Sequence, residues 1–137
     1  MNELKVFGPA WGASGIGNFN GQGWTYHEKL KKLFPRGFDF TGMIFTTKTT
    51  TFDPRVGNMP FDEKTLMNKE VLPRCIVVNP WLWIWGAALN AVGLSGPGLQ
   101  KLLDRNEWQV RIEPFFISYA PQGTTKEEKA ADALRFA

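Results

Sequence analysis

The chain alternates between apolar runs and helical periodicities, separated by turn-forming residues. "TYHEKLKKLF" (25–34) has apolar and charged positions at helical spacing; Thr25 is placed to cap it and Glu28 stands three residues on, while Pro35 and Gly37 stop it. "DFTGMIFTTKTTT" (39–51) is β-branched and aromatic, and its apolar residues run together, the pattern of a strand covered on both faces. "CIVVNPWLWIW" (75–85) predicts strands or a hairpin, in which Trp81, Trp83 and Trp85 form one aromatic face for core or interface packing. Pro97 sits where a second helix begins, and "GLQKLLDRN" continues it to about Asn106. "WQVRIEPFFISYA" (108–120) ends in a buried-type strand. A last helix opens at Thr125, which forms a capping box with Glu128.

Between these elements lie "GPAWGASGIG", the turn-rich "NFNGQGW", an irregular segment over 52–74 and the small-residue loop "GAALNAVGLSGPG" (86–98). A loop as long as 52–74 within a domain is usually functional or disordered. The order of strand, helix, strand, long loop, helix, strand, helix predicts a parallel α/β sheet in one domain over residues 1–137.

Composition narrows the classes of function. A net charge of +3 without a run of like charges excludes a nucleic-acid footprint. "HEKLKKLFPR" reads as a solvated helix face. Asn79, Pro80 and Asn90 interrupt the longest apolar stretch, which is then too short for a membrane span. The N-terminus has no apolar signal-peptide core. Cys75 is the single cysteine, so no internal disulfide forms, and a reducing, cytoplasmic setting is the expectation. Cys75 itself is expected to be a buried strand residue. No metal-ligand spacing and no Ser-His-Asp pattern occurs.

In α/β folds ligands bind at the carboxyl ends of the strands. Three stretches end there: "ASG" at 13–15, "TTKTTT" at 46–51 and "NAVGLSGPG" at 90–98. Ala13, Ser14 and Gly15 offer a flat wall with backbone amides. Lys48 offers a cation, with Thr49 beside it, and Asn90 an amide that donates and accepts. The backbone around Gly93 allows close approach. Such a set suits a planar, polar, partly anionic molecule.

With "TKTTTFDPRVGN" (47–58) and "PFFISYA" (114–120), these motifs resemble the flavin-dependent dihydroorotate dehydrogenases, in the family's order and over most of the chain. The resemblance implies the first portion of a (β/α)8 TIM barrel that binds FMN and oxidises dihydroorotate or a related cyclic substrate. It places Ala13, Ser14, Gly15, Lys48 and Thr49 at the flavin. Lys48, Asn90, Val92, Gly93 and Leu94 fall at the pyrimidine-like substrate, and Arg55 and Asn58 in the loop beside it. The catalytic base is expected beyond Ala137, and Cys75 does not match it. A full barrel takes about 250 residues. The remainder of the barrel or a second chain is therefore the expected partner, in a homo-oligomer. The competing expectation is a non-catalytic α/β fragment or interaction subunit that needs a partner chain.

Overall fold

The computed structural model describes residues 10–35, 40, 42–77, 81 and 88–137. Three short strands, β1 (Ala10–Trp11), β2 (Met43–Thr46) and β5 (Phe115–Phe116), form a parallel sheet in the order β1-β2-β5. Ala10 and Trp11 lie opposite Met43 and Ile44, and Phe45 and Thr46 opposite Phe115 and Phe116. Helix α1 (Thr25–Lys31) connects β1 to β2, α2 (Leu99–Asp104) precedes β5, and α3 (Lys126–Phe136) follows it. Between β2 and α2, the strands β3 (Ile76–Val77) and β4 (Leu89–Asn90) pair antiparallel as a separate ribbon. The expectation of a parallel α/β sheet is met; of the strands or hairpin expected over 75–85, only β3 is seen, and its partner β4 lies outside that stretch. Trp83 and Trp85 lie outside the described residues, and Trp81 is mostly exposed. Cys75 is half-buried, one residue before β3, rather than fully buried in it.

β2 is central because both its faces are covered: Ile44 and Phe45, on opposite faces, are both buried. Its regular part is shorter than the sequence suggests, yet the pairing runs on. Thr47 N–H donates to Phe116 O, Thr50 N–H to Ser118 O and Ala120 N–H to Thr50 O. The TTKTTT segment is thus an irregular extension of the strand. The region before β5 is not strand. Residues 106–111 continue past α2 in turns, with Asn106 N–H donating to Leu103 O and Val110 N–H to Asn106 O. Those turns bring Trp108 into the core, where its Nε1–H donates to Phe19 O at 2.9 Å. β5 itself is only half covered: Phe116 and Ile117 are partly exposed.

Phe19, Leu66, Leu99, Leu102 and Trp108 make the core, with Phe52, Phe61, Phe115 and Phe136 packed on it. Burying each such side chain contributes roughly 1.5–3 kcal/mol. Phe52, Phe61 and Leu66 come from the irregular 52–74 segment, so this long loop is anchored from inside. On the sheet, Phe45 and Phe115 stack at 6.1 Å, and the Arg111 guanidinium lies over both rings.

Helix starts differ from expectation at two of three places. Thr25 is the first helical residue of α1 rather than its cap. Asn68 holds it from the long loop: Thr25 N–H donates to Asn68 Oδ1 and Thr25 Oγ1–H to Asn68 O. Trp24 takes the capping position, and its N–H donates to His27 Nδ1 at 3.3 Å. Burial and the nearby Lys31 hold His27 below the usual imidazole range, which keeps that acceptor unprotonated. At α2, Gly98 at φ 85° is the cap, and Pro97 precedes the helix.

At α3 the expected box forms: Glu128 N–H donates to Thr125 Oγ1, and Thr125 N–H to Glu128 Oε2. Thr125→Ala should cost about 1 kcal/mol of stability, read as a shift of the denaturation midpoint at constant slope. An unchanged midpoint would show that the cap contributes nothing. The helix is tied to the sheet by Tyr119, whose hydroxyl donates to Asp132 and whose ring stacks on Phe136 at 4.0 Å. Burial and the Asp132 carboxylate push that hydroxyl up to about 12. No helix among the described residues is long and apolar enough to cross a membrane.

Candidate functional site

The carboxyl ends of β1, β2 and β5 are joined by a row of hydroxyls. Ser14 Oγ donates to Thr47 O at 3.0 Å and contacts Thr49 Oγ1 at 2.7 Å, and Thr49 Oγ1 contacts Ser118 Oγ at 2.9 Å. Each hydroxyl has one proton. Since Ser14 spends its own on Thr47, Thr49 must donate to Ser14 and Ser118 to Thr49. The row therefore has its donors committed inward and shows a ligand only lone pairs. Ser118 N–H also donates to Thr47 Oγ1, which locks the register of β2 against β5.

Lys48 sits next to this row and is 6% exposed. Its amine donates to Ser95 O at 2.5 Å and lies 5.1 Å from the centre of the Phe19 ring. Among the described residues no carboxylate pairs with it within 4.0 Å. Burial lowers its pKa to about 8. An ammonium in such a place has hydrogen-bond capacity to spare and, among the described residues, no counter-charge.

The backbone around Ser95 is held by the long loop. Arg55 and Gly96 exchange backbone bonds of 2.9 and 2.8 Å, Asn58 N–H donates to Val92 O, and Asn58 Nδ2–H donates to Ala91 O at 2.7 Å. Ser95 Oγ, fully buried, accepts from Met59 N–H and donates to Val92 O, each at 3.0 Å. The clamp forces Gly93 and Leu94 into left-handed conformations, at φ 71° and 58°. Leu94 is strained there, at roughly 1–2 kcal/mol. Asn90 Oδ1 accepts from Val92 N–H at 3.0 Å, so half of that amide caps the turn. Its Nδ2 takes no partner among the described residues.

These pieces enclose a cleft of about 290 Å³. Of the residues expected at the site, Ser14, Gly15, Lys48, Thr49, Asn90, Val92, Gly93 and Leu94 line it. Ala13 does not: it is exposed, and its carbonyl turns back to accept from Ile16 N–H. Asn58 braces the cleft from behind. Arg55 pairs with Gly96 through its backbone, and its side chain reaches to Gln122 in the segment before α3.

The sequence reading missed Trp24, Tyr26, Met59 and Ile76, which also line the cleft, and the supports Ser95 and Ser118. Trp24 Nε1–H donates to Gly15 O at 2.9 Å and fixes the Ala13–Gly15 turn. Burial raises the pKa of Tyr26, which keeps it a neutral phenol. Nothing lining the cleft is acidic, and no group of His, Cys, Asp and Glu among the described residues could hold a metal. The arrangement can take a flat ligand whose acceptor or negative charge meets Lys48 and the Asn90 Nδ2–H, and whose donors meet the hydroxyl row.

The chain matches no family model, no curated protein and no solved structure.

Proposed function

We propose that this chain is the opening portion of an FMN-dependent oxidoreductase of the dihydroorotate dehydrogenase type, acting in the cytoplasm on dihydroorotate or a related cyclic substrate. One observation carries the reading. Eight side chains and backbone positions from separate stretches meet in one cleft at the carboxyl ends of parallel strands, around a buried lysine with no counter-charge among the described residues. The strand order supports the barrel part of the proposal. Strands β1, β2 and β5 lie side by side in the sheet in the order in which the chain reaches them, with α1 between the first two, and α2, after the β3–β4 ribbon, before the third, an order that a (β/α)8 barrel would share.

The donor set fits the cofactor: a turn of small residues, a cation and a row of acceptors suit a ring system edged with N–H and C=O groups. FMN, when bound, supplies the hydride acceptor. Lys48 would be placed to stabilise negative charge built up on such a ring during reduction, in a site where burial strengthens that interaction. Asn90 Nδ2–H donates to the substrate carboxylate region, and the Val92–Leu94 backbone borders the ring. The base that takes the substrate proton comes from outside these residues. Cys75 is not assigned to it; it lies off the cleft, its carbonyl occupied by Ala91 N–H.

A second reading is an α/β interaction subunit without its own chemistry. The large apolar side chains Val56, Ile112 and Leu134, mostly exposed, favour a partner chain. The flavin reading calls for the remainder of the barrel or a second chain, in a homo-oligomer; the interaction-subunit reading calls only for a partner chain.

Titration with FMN separates the two. Saturable quenching of flavin fluorescence is expected, weakened about tenfold or more in Lys48→Ala, the loss of one hydrogen bond to a charged group. Quenching that is equal in both proteins would remove the flavin reading and leave the interaction subunit.

A further inference from the structure

Beside the Lys48 cleft lies a second depression of about 350 Å³, bordered by Tyr26, Leu72, Pro73 and Ile76. Tyr26 and Ile76 line both, so the two hollows meet along those side chains. Their chemistry differs sharply. One end carries the only buried lysine among the described residues, the hydroxyl row and the Asn90 amide. The other presents two aliphatic side chains, a proline ring and a phenol. Leu72 is 84% exposed, and on the β3–β4 ribbon Val77 and Leu89 are 51% and 66% exposed. The apolar end of this continuous hollow is thus open to solvent and to a ligand's apolar part.

We propose that the two hollows are one site for a single amphipathic anion. Its head group, a carboxylate or an equivalent oxyanion, lies at Lys48, and its apolar tail crosses Ile76 into the Leu72–Pro73 groove. The inference rests on the Lys48 cleft being a ligand site, and not on flavin being the cofactor. It adds to the substrate class an apolar substituent that a compact polar ring would lack. The head group supplies the counter-charge that Lys48 lacks among the described residues, and the tail removes Leu72 and Ile76 from water. Tyr26, held neutral between the two ends, offers its ring to the tail and its hydroxyl to the head.

The test is a series of straight-chain carboxylates, butyrate to decanoate, titrated at neutral pH and followed by amide chemical shifts. Affinity should rise roughly threefold to fourfold for each methylene, the increment for burying one CH₂ group, until the groove is filled. Leu72→Asp, at an exposed position that tolerates the change, should flatten that rise. Neutral n-alkyl amides of matching length should bind about tenfold or more weakly than the carboxylates, with the same dependence on length. The amide comparison needs no variant at Lys48, so a folding defect there cannot obscure it.

The proposal is overturned if affinity is independent of chain length, if the rise survives Leu72→Asp, or if amides and carboxylates bind equally. FMN titrated into the same samples keeps the readings separate. A chain-length series that behaves as expected in a protein that ignores FMN would sink the flavin reading alone.

Discussion

Gly57→Ala should destabilise the chain by about 3–4 kcal/mol and open the candidate site. Gly57 has φ 55°, which by itself costs an alanine roughly 1–2 kcal/mol. The larger cost is steric. A Cβ there would stand 2.1 Å from Ser95 Oγ and 2.7 Å from both Ser95 N and Val92 O. None of these can retreat freely, because Ser95 Oγ bridges Met59 N–H to Val92 O and Ser95 O accepts from Lys48. Moving the Ser95 turn strands buried polar groups, each worth about 1–3 kcal/mol. Gly57→Asn separates the two terms: asparagine tolerates left-handed backbone but carries the same Cβ, so it should be no better than alanine. Gly15 is the matched control. At φ 92° with nothing within 4 Å of its Cβ, Gly15→Ala should cost only the conformational term. Urea denaturation of the three variants decides this. A Gly57→Asn protein near wild-type stability would mean that the contact with Ser95 is not a constraint.

Lys48 illustrates why part of the site was legible in the sequence. A single cation amid hydroxyl residues at the end of an apolar strand is conspicuous, and so are short runs of small residues at other strand ends. Convergence followed from the general geometry of parallel sheets, and the cleft gathers those stretches. Other residues gave no signal because their roles are carried by backbone or context. Ser95 matters through its carbonyl and a fully buried hydroxyl, and neither function marks a serine in a glycine-rich loop. Trp24 and Tyr26 look like core aromatics, and the indole N–H that pins Gly15 can be found only once the turn is folded. Local rules failed where a distant partner intervened. Asn68, more than forty positions away, occupies both the N–H and the hydroxyl of Thr25, and the cap moves to Trp24. The capping box at Thr125 had no such competitor and formed as written. Strand lengths were overestimated for a related reason. Periodicity marks which residues can extend, whereas regular pairing needs a neighbour at every step. Residues 108–111 found a better use in turns that bury Trp108.

The second large effect is a pH dependence that Lys48 imposes on stability. Folding lowers its pKa from 10.5 to about 8, because burial disfavours the charged form and no carboxylate among the described residues compensates. At one pKa unit per 1.36 kcal/mol, the shift corresponds to about 3 kcal/mol. Below pH 8 both states hold the proton, and the folded state bears the whole cost of a buried ammonium. Between pH 8 and 10.5 the folded protein releases the proton while the unfolded chain still holds it. The unfolded state then binds more protons, so stability rises with pH and the cost fades. Comparison with Lys48→Met isolates this term, because the exposed lysines and the tyrosines are common to both proteins and cancel. Wild type minus Lys48→Met should therefore climb by about 3 kcal/mol from pH 8 to 10.5 in denaturation experiments run at fixed ionic strength. An anion seated on the amine would restore its pKa, so a bound oxyanion ligand should push the climb to higher pH. Parallel pH profiles for the two proteins would show that the amine is solvated in the folded state. The counter-charge argument for the site would then fail with it.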